Sequence, residues 1–221
     1  MKTKNYWHYE GKDKPDDNFL FSYIRRKFFG NKVGLGQAVI SKEIYKKFIN
    51  KEEEKISLLD IGGAGGHQFD NLNIKNKTKI DIDADKLKES KDWKTIQMDA
   101  KKLKFKDNTF DLVASFHTLE HIDDPLKVME EMYRVLKPGG KVWIEVPDLE
   151  AVGFKFYDYY THIFPFTKQR AEFMIKSCGF ENIIIKKCNL PKYWFLLKFH
   201  PKLLTRLSLL NRSSLLIVGE K

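Results

Sequence analysis

Cysteine is scarce in this 221-residue sequence: Cys178 and Cys188 are the only two. They are too few for a disulfide framework and are not spaced like a pair of zinc ligands. Long apolar runs are missing as well. None approaches the roughly 18 residues that a membrane-spanning helix needs, and the opening MKTKNYWHYEGKDK has no apolar signal-peptide core. These absences argue against disulfide-stapled, zinc-ribbon and membrane-spanning classes, and they set a reducing cytoplasm as the expected compartment. Negative charge is also in deficit, with 30 Asp and Glu against 40 Lys and Arg, a formal balance of +10. The excess lysine is scattered along the whole chain, which favours a solvated surface over a dedicated patch. An anionic partner, whether a phosphorylated substrate, nucleic acid or acidic lipid, is the competing reading. Hydrophobic residues at 42% beside 32% charged suit one globular domain with a sizeable core.

What is present is organised around Ile56 to Gly66, ISLLDIGGAGG. A continuous apolar run that ends in an acid and a glycine cluster reads as a buried parallel strand feeding a tight turn into a helix. Gly62, Gly63, Gly65 and Gly66 lack a Cβ, so a ligand can approach the main chain there. A short helix over about 67–72 would aim its N-terminal N–H groups at that loop. KIDID, Lys79 to Asp83, reads as a second strand. Asp81, about 20 residues beyond Asp60, is placed to accept from ribose hydroxyls, with Asp83 as the alternative. Thr95 to Met98 gives a third strand, followed by Asp99 and Ala100.

FDLVASF, Phe110 to Phe116, is a fourth buried strand that opens onto His117, Thr118, Glu120 and His121. Asp123-Asp124-Pro125 starts a helix, and Leu126, Met129, Met132, Tyr133 and Leu136 keep helical spacing up to Lys137-Pro138-Gly139-Gly140. KVWIEV, Lys141 to Val146, is the fifth strand. Alternating strand and helix imply a parallel, doubly wound α/β sheet. Upstream, residues 1–55 are dense in aromatic and basic side chains and read as a helical cap. Within them Ile44, Tyr45, Phe48 and Ile49 share one helix face.

Taken together, LLDIGGAGG, KIDID, QMDA, FDLVASFHTLEHIDDP and YRVLKPGGKVWIEVP resemble the class I S-adenosylmethionine-dependent methyltransferases, in particular the small-molecule branch of ubiquinone and natural-product type. Tyr160, His162, Phe164, Phe166 and Thr167, followed by Cys178-Gly179-Phe180, resemble that family's helix before its final hairpin, with Glu181 to Lys187 and Leu215 to Glu220 as the last two strands. The resemblance implies a Rossmann-like, mostly parallel seven-stranded sheet with an antiparallel last strand, in a domain over residues 56–221. Inserted cap segments would occupy about 148–166 and 190–212. It also implies that Asp60 and the turn at Gly62, Ala64 and Gly66 hold the methionine part of S-adenosylmethionine, that Asp81 binds the ribose, and that Asp99 and Ala100 bind the adenine. Ser115 to Thr118 would close over the cofactor beside the sulfonium. Ala64 stands where the family commonly has glycine. A dinucleotide site fits less well, because Gly63-x-Gly65-x-x-Gln68 lacks the third glycine.

The implied reaction is methyl transfer to a small or carrier-linked acceptor, with oxygen favoured over nitrogen. A hydroxyl acceptor needs a base or a metal, and His121, His162 and His117 are the candidates for the base. His117-x-x-Glu120-His121 also resembles the Glu-x-x-Glu-His set of some metal-assisted O-methyltransferases, so a divalent ion on His117, Glu120 and His121 is the lesser alternative. A non-catalytic cofactor-binding scaffold and an RNA methyltransferase are the competing functions. Nucleic acid is disfavoured, because Ser115-Phe116-His117-Thr118 replaces the acid-or-asparagine, Pro-Pro, aromatic run of amino-methylating enzymes. The basic, aromatic segment 190–212 suits either docking on the protein or peripheral contact with an anionic membrane surface.

Overall fold

A computed structural model describes residues 44–49, 51–62, 69, 72–87, 92–188 and 214–221. Most of the expected cap over 1–55, the loop residues Gly63 to Gly66 including Ala64, most of the expected short helix after them, and the segment 190–212 lie outside the described residues. Among those described, seven strands form one sheet: β1 Ser57–Ile61, β2 Asn76–Asp81, β3 Lys94–Gln97, β4 Phe110–Phe116, β5 Leu136–Pro147, β6 Glu181–Cys188 and β7 Ser214–Glu220. Their order across the sheet is β3-β2-β1-β4-β5-β7-β6. Ladders through β5 are parallel, and β7 runs antiparallel to both of its neighbours.

The two faces of the sheet are covered by different means. Helix α1, Pro125–Val135, and helix α2, Lys168–Ser177, pack on one side. There Val128, Met129, Met132, Ala171 and Ile175 meet Leu59, Ile61, Val113, Ile144 and Ile217 in a single cluster. Burying a side chain of this size contributes roughly 1.5–3 kcal/mol, so α1 is held mainly by its apolar stripe. The opposite face carries Tyr45 and Ile49, from the helical turn Tyr45–Ile49, with Phe69, Trp93 and Trp143. Three edge-on ring pairs, Phe69 with Phe116, Phe69 with Trp143 and Phe116 with Trp143, knit that layer together.

Local chemistry sets the boundaries that matter for the site. Asp124 caps α1 by accepting from the Lys127 N–H at 3.2 Å, and Pro125 occupies the first turn. Thr167 does the same for α2 through Arg170 N–H. Arg134 near the end of α1 donates to Glu131, Asp107 and the carbonyls of Leu103 and Phe105, strapping the β3–β4 connection to the helix.

Two strands differ from the sequence expectation. β2 begins at Asn76 and stops at Asp81, because the Asp81 carboxylate accepts from Asp83 N–H at 2.9 Å and turns the chain. β5 begins at Leu136, which pairs with Phe110. The ladder then shifts register before Leu112 meets Lys141, so the Lys-Pro-Gly-Gly run is a bulge within the strand. No helix among the described residues is long and apolar enough to cross a membrane.

Candidate active site

The strand order reverses direction between β1 and β4, and at such a switch point the carboxyl ends of the strands open a crevice. Asp60 lies next to the end of β1 and is 2% exposed. Its ladder neighbour in β2 is Lys79, itself buried. Burial pushes the Asp60 carboxyl up to about 7, with Asp81 adding to the shift and the Lys79 charge opposing it. Gly62 follows with φ +76°, and its N–H donates to Ile80 O at 2.9 Å. A Cβ there would fall 2.1 Å from Thr118 Oγ1 and 2.8 Å from Thr118 Cβ. The turn is therefore shaped by a residue at the end of the neighbouring strand, and only glycine fits it.

Asp81 and Asp99 stand just beyond or at the ends of the next two strands outward. Asp81 is half-buried and Asp99 exposed, and each accepts from an N–H two residues on, Asp83 and Lys101, at 2.9 Å. Ala100, beside Asp99, is half-buried. Ser115 lies deeper than its sequence assignment suggests. It is 1% exposed within β4, flanked by Ile61 and Ile144, and its hydroxyl has no hydrogen-bond partner among the described residues.

Beyond β4 the chain makes a strained turn, with His117 at φ +49° and its N–H donating to Glu145 O at 2.8 Å. The half-exposed His117 ring sits between two carboxylates, with Nδ1 3.4 Å from Glu120 Oε1 and Nε2 3.6 Å from Glu145 Oε1. Burial alone would depress the imidazolium, but the attraction of the Glu120 and Glu145 carboxylates outweighs it and pushes His117 up to about 10. Glu145, the second partner, was not anticipated. Its signal was an acid at the end of the otherwise apolar run VWIEV.

His121 ends the single turn Leu119–His121, and His162 comes from the segment after β5. Their rings meet edge-on with centroids 4.8 Å apart. His121 Nδ1 lies 3.0 Å from Thr161 O, and His162 Nδ1 lies 2.9 Å from Phe156 O. A carbonyl can only accept, so Nδ1 carries the hydrogen in both rings and a neutral ring presents its lone pair at Nε2. Burial first, and then the His121 charge, lowers the pKa of His162. Glu120 is fully buried, and neither of its oxygens has a hydrogen-bond partner among the described residues.

Of the set His117, Glu120 and His121, the structure gathers Glu120 and His121 with His162, all three offering ligand atoms within 4.8 Å of one another. His117 instead bridges Glu120 to Glu145. The inserted segment that delivers His162 is tied at its base, where Asp148 and Phe166 form a bridge and Leu149 N–H donates to Phe166 O. Its aromatics divide: Phe156 and Phe166 are core, whereas Phe154, Tyr157, Tyr159 and Tyr160 are exposed.

The fold has counterparts among known proteins. Residues 59–144 match the family model described as a methyltransferase domain. A demethylmenaquinone methyltransferase of Anoxybacillus flavithermus is 33% identical over 114 residues, covering 50% of this chain and 48% of the relative. The chain thus spans about half the length of such curated relatives. A solved S-adenosylmethionine-dependent methyltransferase from Archaeoglobus fulgidus superposes with a TM-score of 0.65 at 19% identity, covering 93% of this chain and 100% of that one. A Haemonchus contortus phosphoethanolamine N-methyltransferase, solved with S-adenosylmethionine, superposes with a TM-score of 0.62 at 20% identity, over 90% of this chain and 59% of that one. At these identities the structural matches establish the fold.

Proposed function

We propose, from the match of residues 59–144 to the methyltransferase-domain family model, that the chain moves a methyl group from S-adenosylmethionine to a hydroxyl on a small or carrier-linked acceptor. The observation that carries this reading is the switch-point cradle. Gly62 admits no Cβ against Thr118, a buried Asp60 stands behind it, and Asp81 and Asp99 mark the ends of the two strands beyond.

In this reading Asp60, Gly62, Ala64 and Gly66 hold the amino-acid end of the cofactor. Asp81 takes the ribose hydroxyls, Asp99 and Ala100 the adenine, and Ser115 lies behind the sulfonium. When bound, the cofactor supplies an electrophilic methyl on a leaving group that needs no protonation. The protein's task is therefore orientation and removal of the acceptor's proton. His121 and His162 suit the second task, because each spends its Nδ1–H on a backbone carbonyl and offers Nε2 to a hydroxyl. His117, held as a cation by two carboxylates, is a poor proton acceptor near neutral pH and serves better to hold Glu120 and Glu145 in place.

The exposed strip Phe154, Tyr157, Tyr159 and Tyr160 beside His162 favours an acceptor with an apolar or aromatic body. Small-molecule acceptors are also what the quinone-methylating names of the relatives suggest. Calorimetric titration of the full chain with S-adenosylmethionine, and separately with NAD, tests the cofactor. Saturable micromolar binding of the former alone is expected, and binding of NAD alone would refute the assignment.

A further inference from the structure

We propose that Glu120, His121 and His162 form a binding site for one divalent first-row transition-metal ion, of the zinc or iron(II) class. A buried carboxylate whose two oxygens lack hydrogen-bond partners among the described residues is costly unless a cation meets it. The nearest charge, His117 Nδ1 at 3.4 Å, leaves both oxygens without a hydrogen bond. The two imidazoles have the other half of what a metal requires. Metal-bound histidines almost always give their second ring N–H to a carbonyl or carboxylate, which fixes the ring and its tautomer. Here Thr161 O and Phe156 O take those hydrogens and leave both Nε2 lone pairs available as ligands.

Backbone hydrogen bonds hold the set together across 40 residues of sequence. Ile163 N–H and Phe164 N–H both donate to the carbonyl of Glu120 itself, at 2.9 and 3.0 Å. The segment that presents His162 is thus docked on the turn that presents Glu120 and His121. One ring nitrogen of each histidine and one Glu120 oxygen lie within 4.8 Å of one another. Around a tetrahedral zinc ion that spacing is about 3.4 Å, so small side-chain rotations complete the set on loading. Two nitrogens and one carboxylate suit zinc or iron(II) over magnesium or calcium, which take all-oxygen sets. Three protein ligands leave at least one position open, the arrangement of catalytic rather than structural sites.

This inference rests on the methyltransferase reading only for its use. With the metal bound both Nε2 atoms are ligands and no longer act as bases, so an acceptor hydroxyl at the open position loses its proton to solvent, and its oxygen then forms the new bond to the methyl carbon. The carbon–sulfur bond breaks with its electron pair passing to sulfur, which becomes a neutral thioether.

The test uses full-length protein without a histidine tag, stripped with chelator and titrated with Co2+ followed by ligand-field absorption, and with Zn2+ followed by calorimetry. One equivalent is expected to bind. His121→Gln and His162→Gln should each weaken binding about 100-fold or more, while Glu172→Gln on α2, whose carboxylate pairs with Lys176, should leave it unchanged. Glu120→Gln should also abolish binding, and circular dichroism checks that this buried variant folds. The half-buried His162 keeps the test decisive if it does not. Absence of saturable binding, or wild-type affinity in His162→Gln, would overturn the site, as would loss of binding in a folded Glu172→Gln. Titration of the same preparation with S-adenosylmethionine reads the methyltransferase assignment separately. Cofactor binding without metal binding overturns the metal site alone, and metal binding without cofactor binding leaves the metal site standing.

Discussion

Replacing Gly62 with alanine tests the cradle directly, because two independent penalties add at that position. The first is conformational. Gly62 sits at φ +76°, where an L side chain costs about 1–2 kcal/mol. The second is steric. The new Cβ would lie 2.1 Å from Thr118 Oγ1, 2.4 Å from Cγ2 and 2.8 Å from Cβ. Rotation about χ1 moves the first two atoms but not the third, so Thr118 cannot step aside, and overpacking of this kind typically costs about 1–3 kcal/mol. Gly62→Ala should therefore lose about 2–5 kcal/mol in urea unfolding, read from the midpoint at constant slope. A double-mutant cycle separates the terms. On a Thr118→Gly background the same alanine should cost only the conformational part, giving a coupling of about 1–3 kcal/mol, and Thr118→Ala should relieve less because the Cβ contact remains. A Gly62→Ala loss within about 0.5 kcal/mol, or no coupling to Thr118, would refute the geometry on which the cofactor assignment stands.

Three further outcomes follow from the same crevice. If Asp60 meets the cofactor's ammonium group as a carboxylate, its raised value of about 7 means that binding at lower pH must expel a proton. Affinity measured by calorimetry should then fall about tenfold per pH unit below 7 and level off above it, and a flat profile would remove Asp60 from the contact. Asp81→Ala should weaken S-adenosylmethionine by about 2 kcal/mol, roughly 30-fold. Asp81→Asn, which keeps an acceptor for Asp83 N–H, should separate ribose binding from loss of the turn. The His117 imidazolium is raised from 6.5 to about 10, so its stabilising contribution is complete below 6.5 and lost as pH rises through 10. Unfolding midpoints of wild type and His117→Gln should therefore differ most below pH 6.5 and converge in alkali, and a constant difference would mean that the ring acts through packing alone.

Much of the architecture was legible because strands in a two-sided sheet leave apolar runs. β1, β4 and the apolar centre of β5 read directly, and Asp124-Pro125 marked the start of α1 by cap chemistry. β2 read less well. Asn76 to Thr78 look like loop residues, and it is pairing with β1 that makes them strand residues and buries Thr78. The residues proposed for the cofactor, Asp60, Gly62, Asp81 and Asp99, were legible as acids and a glycine at strand ends. The partnership of His121 with His162 was not, since 41 positions separate them and no periodicity links a loop after β4 to one after β5. Glu145 was hidden for a related reason: its meaning lies in His117 across the β4–β5 ladder, in a turn whose positive φ no spacing rule announces.

The place of β7 between β5 and β6 has a consequence for synthesis on the ribosome. Translation delivers β6 before β7, yet in the finished sheet β6 pairs with β7 and not with β5. While residues 214–220 are still being made, the hydrogen-bonding edge of β5 has no partner, and neither does β6. Such bare edges invite pairing with other nascent chains. The protein thus passes through a short window in which closing the sheet depends on residues not yet translated, and a pause in the ribosome over that stretch would lengthen the window.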